Sequence, residues 1–307
     1  MKLSIFPSAF LLSLLSFSHS HPLHDPRSEV NLVRRNNTEP NATTILTDAS
    51  TTTSVPPTLQ ILANGNQAFR DRMNQEEPGL FQNLTEQGQS PPFMFLGCSD
   101  SRVSEFTIFD ALPGTLFAER NIANQFHSSD PNAHSVLAYA VAVLGVQHVI
   151  VMGHYGCGGV AAAIASPPST SMDVATSAVQ TWIEPIRELY QSSNRTEIVQ
   201  LREQNNNQTV VGAPGINDPG FRALVEENVK AAVQRIASDN VILNHYTTLN
   251  SPNTTQPGGT PQDVFIHGWV YDISNGEIHD LGVSVGPPGV PIPAIPFSVV
   301  TPGTVSA

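Results

Sequence analysis

Only two cysteines occur in the 307 residues, and each stands just past a short apolar run that stops at glycine. The first segment is Gly97-Cys98-Ser99-Asp100-Ser101-Arg102-Val103, after Phe93-Met94-Phe95-Leu96. The second is Gly153-His154-Tyr155-Gly156-Cys157-Gly158-Gly159, after His148-Val149-Ile150-Val151-Met152. Runs of this length and composition read as buried strands. Helical patterns fall over 58–74, 135–144, 158–165, 175–191 and 221–238, and further strand patterns over 115–118 and 264–271. Asn275-Gly276 signals a hairpin into an antiparallel edge strand at 277–281. Strands that alternate with helices predict an α/β fold, a mainly parallel sheet with an antiparallel edge strand and helices on both faces.

In an open parallel sheet, ligands gather at the carboxyl ends of the strands. Adjacent parallel strands would bring Cys98, His154 and Cys157 together there. Two thiolates and an imidazole suit zinc, and three protein ligands leave the fourth position of a catalytic site open. The glycines around Cys157 let the backbone approach closely and open a helix at that residue, which favours its thiolate. A Cys98–Cys157 disulfide is the competing reading, since a secreted chain with two cysteines often pairs them. A disulfide, however, makes no use of His154. Asp100 lies two residues past Cys98, within reach of the fourth ligand position. Arg102 can hold it through a two-pronged ion pair, although an ordinary surface salt bridge would look the same in sequence.

Composition narrows the function classes. The net charge is -12, from 14 Lys+Arg against 26 Asp+Glu. Nucleic-acid binding needs a basic footprint that this chain lacks. The charged fraction is 13%, about half the usual ~25%, so Ser, Thr, Asn and Gln carry the surface. Residues 1–20 read as a secretory signal peptide, with Lys2 before an apolar run centred on Phe10-Leu11-Leu12 and small residues at Ser18-His19-Ser20. That run is shorter than the ~20 residues of a membrane-spanning helix, and no later stretch is long and apolar enough for one. Asn36, Asn41, Asn83, Asn194, Asn207 and Asn253 begin Asn-x-Thr sequons, which suit a secreted glycoprotein. Residues 21–57 read as a disordered Ser/Thr/Asn-rich leader, 58–285 as the α/β domain, 192–219 as an exposed insertion, and 286–307 as a flexible Pro/Gly-rich tail. His127, His134 and His279 are candidates for proton transfer only by being histidines.

Cys98-Ser99-Asp100-Ser101-Arg102-Val103 and Gly153-His154-Tyr155-Gly156-Cys157-Gly158-Gly159 closely resemble the two signature segments of β-class carbonic anhydrases. Arg120-Asn121-Ile122-Ala123-Asn124, Gln89-Ser90-Pro91, Tyr139-Ala140-Val141 and His267-Gly268-Trp269-Val270-Tyr271 extend the similarity over roughly 58–285. The resemblance implies reversible hydration of CO₂ to bicarbonate and a proton by zinc-bound hydroxide. It implies one zinc per subunit on Cys98, His154 and Cys157, with Asp100 and Arg102 as the catalytic dyad and Asp100 a fourth ligand in a closed state. It carries substrate contact to Gln89, Phe117 and Tyr139, the aromatic pair coming from a neighbouring subunit. It further implies a homodimer or homotetramer whose N-terminal helix packs on a partner. Some members of the family carry a Trp three residues before the first cysteine, part of a bicarbonate pocket that shuts the enzyme down; that position is Phe95 here, while Val103 and Arg120 match the pocket. Two other readings share these residues: a zinc hydrolase of carbonyl sulfide or carbon disulfide, and a non-catalytic secreted zinc-binding protein.

Overall fold

The structure is a computed structural model that describes residues 55–169, 171–249 and 261–300. The signal peptide, the leader before Val55, and the sequons at Asn36, Asn41 and Asn253 lie outside the described residues. The chain divides after Leu62 into two units. The described part of the first holds the opening turns of helix α1 (Pro57–Glu76), where Leu59, Ile61 and Leu62 are exposed. The second unit, Ala63–Ala307, holds everything that follows.

Among the described residues six strands form one sheet: β1 (Phe93–Cys98), β2 (Leu116–Asn121), β3 (His148–His154), β4 (Phe265–Asp272), β5 (Glu277–Asp280) and β6 (Ser298–Val299). Their order is β2-β1-β3-β4-β5-β6. The first four are parallel and β5 runs antiparallel to β4, as the sequence predicts. From β1 the chain goes first to one side, as β2, and then to the other, as β3. The carboxyl ends of β1 and β3 therefore flank a topological switch point, where open parallel sheets place their ligands.

Alternation along each strand divides the apolar side chains between two faces. Met94 and Leu96 of β1, Val149 and Val151 of β3, and Ile266 and Val270 of β4 join the main core. That core is closed by α4 (Pro131–Tyr139), α5 (Gly158–Ile164), α6 (Val174–Ser192), α7 (Thr196–Asn205), α8 (Pro219–Ala237) and α9 (Asn240–Leu249). Asp130, Asp173 and Asp218 cap α4, α6 and α8 by accepting from the backbone N–H groups of Asn132, Thr176 and Phe221. The other face carries Phe95, Ile150, Met152 and Trp269. It is covered by α3 (Glu105–Ile108) and its following loop, together with Ile295 and Phe297, rather than by a second layer of long helices. Upstream, α2 (Leu80–Gln87) meets α1 through Phe69 and Phe81, their rings edge-on at 5.8 Å.

Two expectations need correction. The 192–219 segment is not simply an exposed insertion, because α7 within it buries Ile198 and Leu201 against α8. The flexible tail is likewise ordered through Val300: β6 pairs with β5, and Phe297 meets Trp269 with ring centroids 4.8 Å apart. The apolar face of β4 offered this segment burial that its Pro-rich sequence does not advertise. Residues 301–307 lie outside the described residues.

The second face also holds a histidine pair. His148 and His267 share a hydrogen bond of 2.9 Å, and His267 meets Ser284 Oγ at 2.9 Å through its other nitrogen. Burial, helped by His148, pushes His267 down to about 4 from 6.5. Well above pH 6.5 the imidazole is neutral in both states and adds no pH dependence. Below 6.5 the unfolded chain takes up a proton that the folded chain refuses until about 4. Stability is therefore expected to fall on acidification through this window, by on the order of 3 kcal/mol from this group. Urea denaturation of His267→Asn across the window should show a shallower pH slope than the parent chain.

Candidate metal centre and active site

Cys98 ends β1 and His154 ends β3, so the switch point brings their side chains together. Cys157 follows a sharp turn at Gly156, whose φ of 74° lies in the left-handed region, and stands at the start of α5. A Cβ at Gly156 would approach Ile216 Cδ1 to 2.8 Å, a side-chain end that can shift, so it is the left-handed φ that calls for glycine here. A Cβ at Gly97 would run into the ring of Phe95, which explains the glycine before Cys98.

The ligand atoms of Cys98, His154 and Cys157 all lie within 4.8 Å of one another and are buried. The two sulfurs are 3.9 Å apart and both cysteines are free, so the disulfide alternative falls. Two thiolates at ~2.3 Å from one tetrahedral zinc would stand ~3.8 Å apart, which the observed separation matches. His154 Nδ1 donates to the carbonyl of Tyr155 at 3.0 Å, because a carbonyl can only accept. Nε2 is then the bare nitrogen of the neutral ring. It is buried with no hydrogen-bond partner, as a metal ligand requires. Between the thiols the proton is unevenly shared. The hydrogen bond from Cys157 pulls Cys98 down against burial, while the same bond and burial push Cys157 up. Two adjacent negative sulfurs need a cation, and the residues present fit zinc.

Beside the ligands, Arg102 grips Asp100 with Nε on Oδ1 at 2.9 Å and Nη2 on Oδ2 at 2.7 Å. The Arg102 backbone N–H adds a third bond to Oδ1 at 3.0 Å. This grip holds the carboxyl far below the usual carboxylate range. Asp100 Oδ2 lies 3.8 Å from His154 Nε2, so the carboxylate borders the ligand cluster. Arg102 also reaches the Gly156 carbonyl at 3.3 Å, linking the two signature segments. A cavity of about 310 Å³ opens beside it, lined by Ser101, Ser104, Thr107 and Tyr271. The apolar cavity of about 580 Å³ beneath Phe297 contains none of these ligands.

Gln89, Phe117 and Tyr139 do not join this cluster within one chain. Gln89 lies in the loop entering β1 at the end opposite Cys98. Phe117 pairs with Met94 near the same end, and its ring stacks on Tyr139 at 5.7 Å. Tyr139 is 46% exposed. The candidate histidines are engaged elsewhere: His127 with Gln125, His134 with Asp239, His279 with Ser298.

Two supports of the site were not legible as such in the sequence. Arg120 donates to the carbonyls of Cys98 and Asp100 at 3.0 and 2.8 Å, fixing the loop between them. Ala123 and Asn124 adopt φ of 61° and 46°, strained for residues with a Cβ. This conformation aims the Ala123 N–H at the Cys98 sulfur at 3.4 Å, and Asn228 holds the Ala123 carbonyl at 2.9 Å. No local pattern announces a left-handed Ala, though the Asn beside it is a mild signal.

A parallel sheet with a Cys-His-Cys cluster at its switch point defines a class of zinc enzyme, and comparison with known proteins gives the class its name. The sequence model of the carbonic anhydrase family matches residues 93–278. A carbonic anhydrase of Emericella nidulans is 32% identical over 227 residues, 73% of this chain and 83% of the relative. Two solved structures superpose with TM-scores of 0.58 at 26% identity, each over 74% of this chain: a Coccomyxa β-carbonic anhydrase in complex with acetazolamide and a tetrameric β-carbonic anhydrase of Sordaria macrospora. They are covered to 87% and 98% respectively. The chain belongs to the carbonic anhydrase family, in its β class, and zinc is its cofactor. Metal analysis of the purified chain should find one zinc per subunit. His154→Ala and Cys157→Ser should each lose it on dialysis, while Ser99→Ala should keep it.

Proposed function

We propose that this protein is a secreted enzyme interconverting CO₂ and bicarbonate, with Asp100 and Arg102 as its catalytic dyad. The observation that carries the reading is the Asp100 carboxylate, held by Arg102 at the border of the Cys98-His154-Cys157 cluster. Zinc, when bound there, would acidify a water molecule and so supply the nucleophile; with two thiolate ligands the centre is formally neutral and acidifies water less than three histidines would, so activity should rise toward alkaline pH. Asp100, kept ionised by Arg102, accepts a hydrogen bond from the attacking oxygen and turns a lone pair toward the carbon of CO₂. Arg102 also keeps this carboxylate occupied; without it Asp100 is free to become the fourth ligand, in a closed state. The Ala123 N–H spreads charge from the Cys98 sulfur.

Gln89, Phe117 and Tyr139 complete the pocket from a second copy of the chain. Gln89 donates to a bicarbonate oxygen, and the stacked rings form an apolar wall suited to CO₂. The exposure of Tyr139, and of Leu59, Ile61 and Leu62 on α1, supports a dimer in which a partner covers these groups. The tetrameric Sordaria relative is compatible with further doubling. The secreted assignment rests on the signal-like residues 1–20, and Asn83, Asn194 and Asn207 are exposed and open to glycans. Among the described residues no helix is long and apolar enough to cross a membrane.

Two measurements test this. Stopped-flow CO₂ hydration near pH 8.5 should show catalysis well above buffer. Arg102→Ala should lower kcat/KM by about 10²-fold or more, the size expected for losing a positioned acid–base or electrostatic group, while keeping its zinc. Full activity in that variant would remove the dyad from the mechanism. Protein recovered from the medium of a eukaryotic host should begin after Ser20 and lose mass on glycosidase treatment. Retention of residues 1–20 would remove the secreted assignment.

A further inference from the structure

We propose that Tyr155, clamped by Glu226 and Arg222 of α8, is the positioning residue that sets how tightly the protein grips its zinc. The inference rests on the reading that Cys98, His154 and Cys157 hold that metal. Tyr155 lies between His154 and Cys157 in sequence and is fully buried. Its carbonyl receives the His154 Nδ1 hydrogen bond at 3.0 Å, so the orientation of this one peptide group aims the imidazole. Its N–H donates to the Tyr271 carbonyl at 3.0 Å, continuing the β3–β4 ladder one residue further. Immediately after it the chain turns at Gly156, where the backbone alone offers little resistance to rotation.

The side chain supplies that resistance. Tyr155 Oη donates to Glu226 Oε1 at 2.8 Å. The Arg222 guanidinium lies over the ring, 3.4 Å from its centre. Arg222 and Glu226 are four residues apart and share one face of α8. Both are anchored in turn: Arg222 donates to Asp272 Oδ2 at 3.0 Å, at the end of β4, and Glu226 Oε2 accepts from Arg195 Nη1 at 2.6 Å. Tyr155 is thus held from α8 on two sides and by β4 along its backbone. A histidine ligand whose other nitrogen has a fixed acceptor binds metal more strongly, and loss of such outer partners weakens binding by about 10–100-fold. An ordinary core ion cluster would stabilise the fold without any separate effect on the metal, and that difference can be measured.

The experiment follows zinc transfer from the full-length protein to 4-(2-pyridylazo)resorcinol, alongside urea denaturation and the visible spectrum of the cobalt(II)-substituted protein. Tyr155→Phe is expected to release zinc about tenfold faster and to alter the cobalt d–d bands. Glu226→Gln is expected to unfold at lower urea, because Arg195 loses its charged partner, yet to release zinc within about twofold of the parent, because the amide still bonds the phenol. Tyr246→Phe is the matched control: its hydroxyl donates to the Val264 carbonyl at 2.8 Å, on α9. It should release zinc at the parent rate. If Tyr155→Phe does not fold, Arg222→Lys replaces it, keeping the charge beside Asp272 and losing the flat stack; it should release zinc several-fold faster. Parent-like release from Tyr155→Phe, or equal acceleration in Tyr246→Phe, overturns the clamp. His154→Ala separates the two readings. If it keeps its zinc, the ligand assignment and the clamp both fall; if it loses zinc while Tyr155→Phe does not, only the clamp falls.

Discussion

Two buried sulfurs 3.9 Å apart form a pair that cannot hold two negative charges without a cation. Much of the surrounding structure answers to this. The pair exists because β1 and β3 are parallel neighbours and the chain leaves both on the same edge of the sheet. Each cysteine then needs its backbone fixed from a different direction. Arg120 bonds the carbonyls on either side of Ser99, and the strained Ala123 turn brings an N–H to the Cys98 sulfur. Backbone strain of this kind persists only where neighbours over-determine it, and Asn228, buried on α8, does so here.

Charge is distributed around the cluster in opposed pairs. Asp100 faces Arg102, Glu226 faces Arg195, and Asp272 faces Arg222. Such pairs, when buried, add little net stability, since desolvation offsets most of the attraction. Their consequence here is geometric. The Asp100 pair lies at the surface of the site, where a carboxylate can meet substrate. The other two lie behind the His154-Cys157 loop and bear on it through Tyr155. One α-helix, α8, therefore supports the site three times, through Arg222, Glu226 and Asn228.

The second face of the sheet follows a different logic. Aromatic and histidine side chains run across it from Phe93 through His148 and His267 to Trp269. With α3 too short to cover them, Phe297 closes over Trp269 and Ile295 packs beside it. This C-terminal passage looks structureless in sequence because prolines and glycines break both periodicities. Its order comes from the surface on which it lies.

Local pattern alone determined the strands ending at Cys98 and His154, the glycines that admit the turn, the antiparallel hairpin at Asn275-Gly276, and the Cys-His-Cys donor set. These are legible because each depends on residues adjacent in the chain. Sequence also named Asp100 and Arg102, whose partnership spans only two residues. It left α7 and α9 unread, along with the order of residues 286–300 and the support that Arg120, Asn228, Arg222 and Glu226 lend to the site. Those features depend on partners far apart in the chain: 105 residues separate Asn228 from Ala123, and 71 separate Tyr155 from Glu226. Sequence likewise could not show that Phe117 lies level with Met94, toward the opposite end of β1 from the cluster, because strand direction and register are settled only when the sheet assembles. The chemistry was written in short segments; the geometry that confines it was decided by long-range packing.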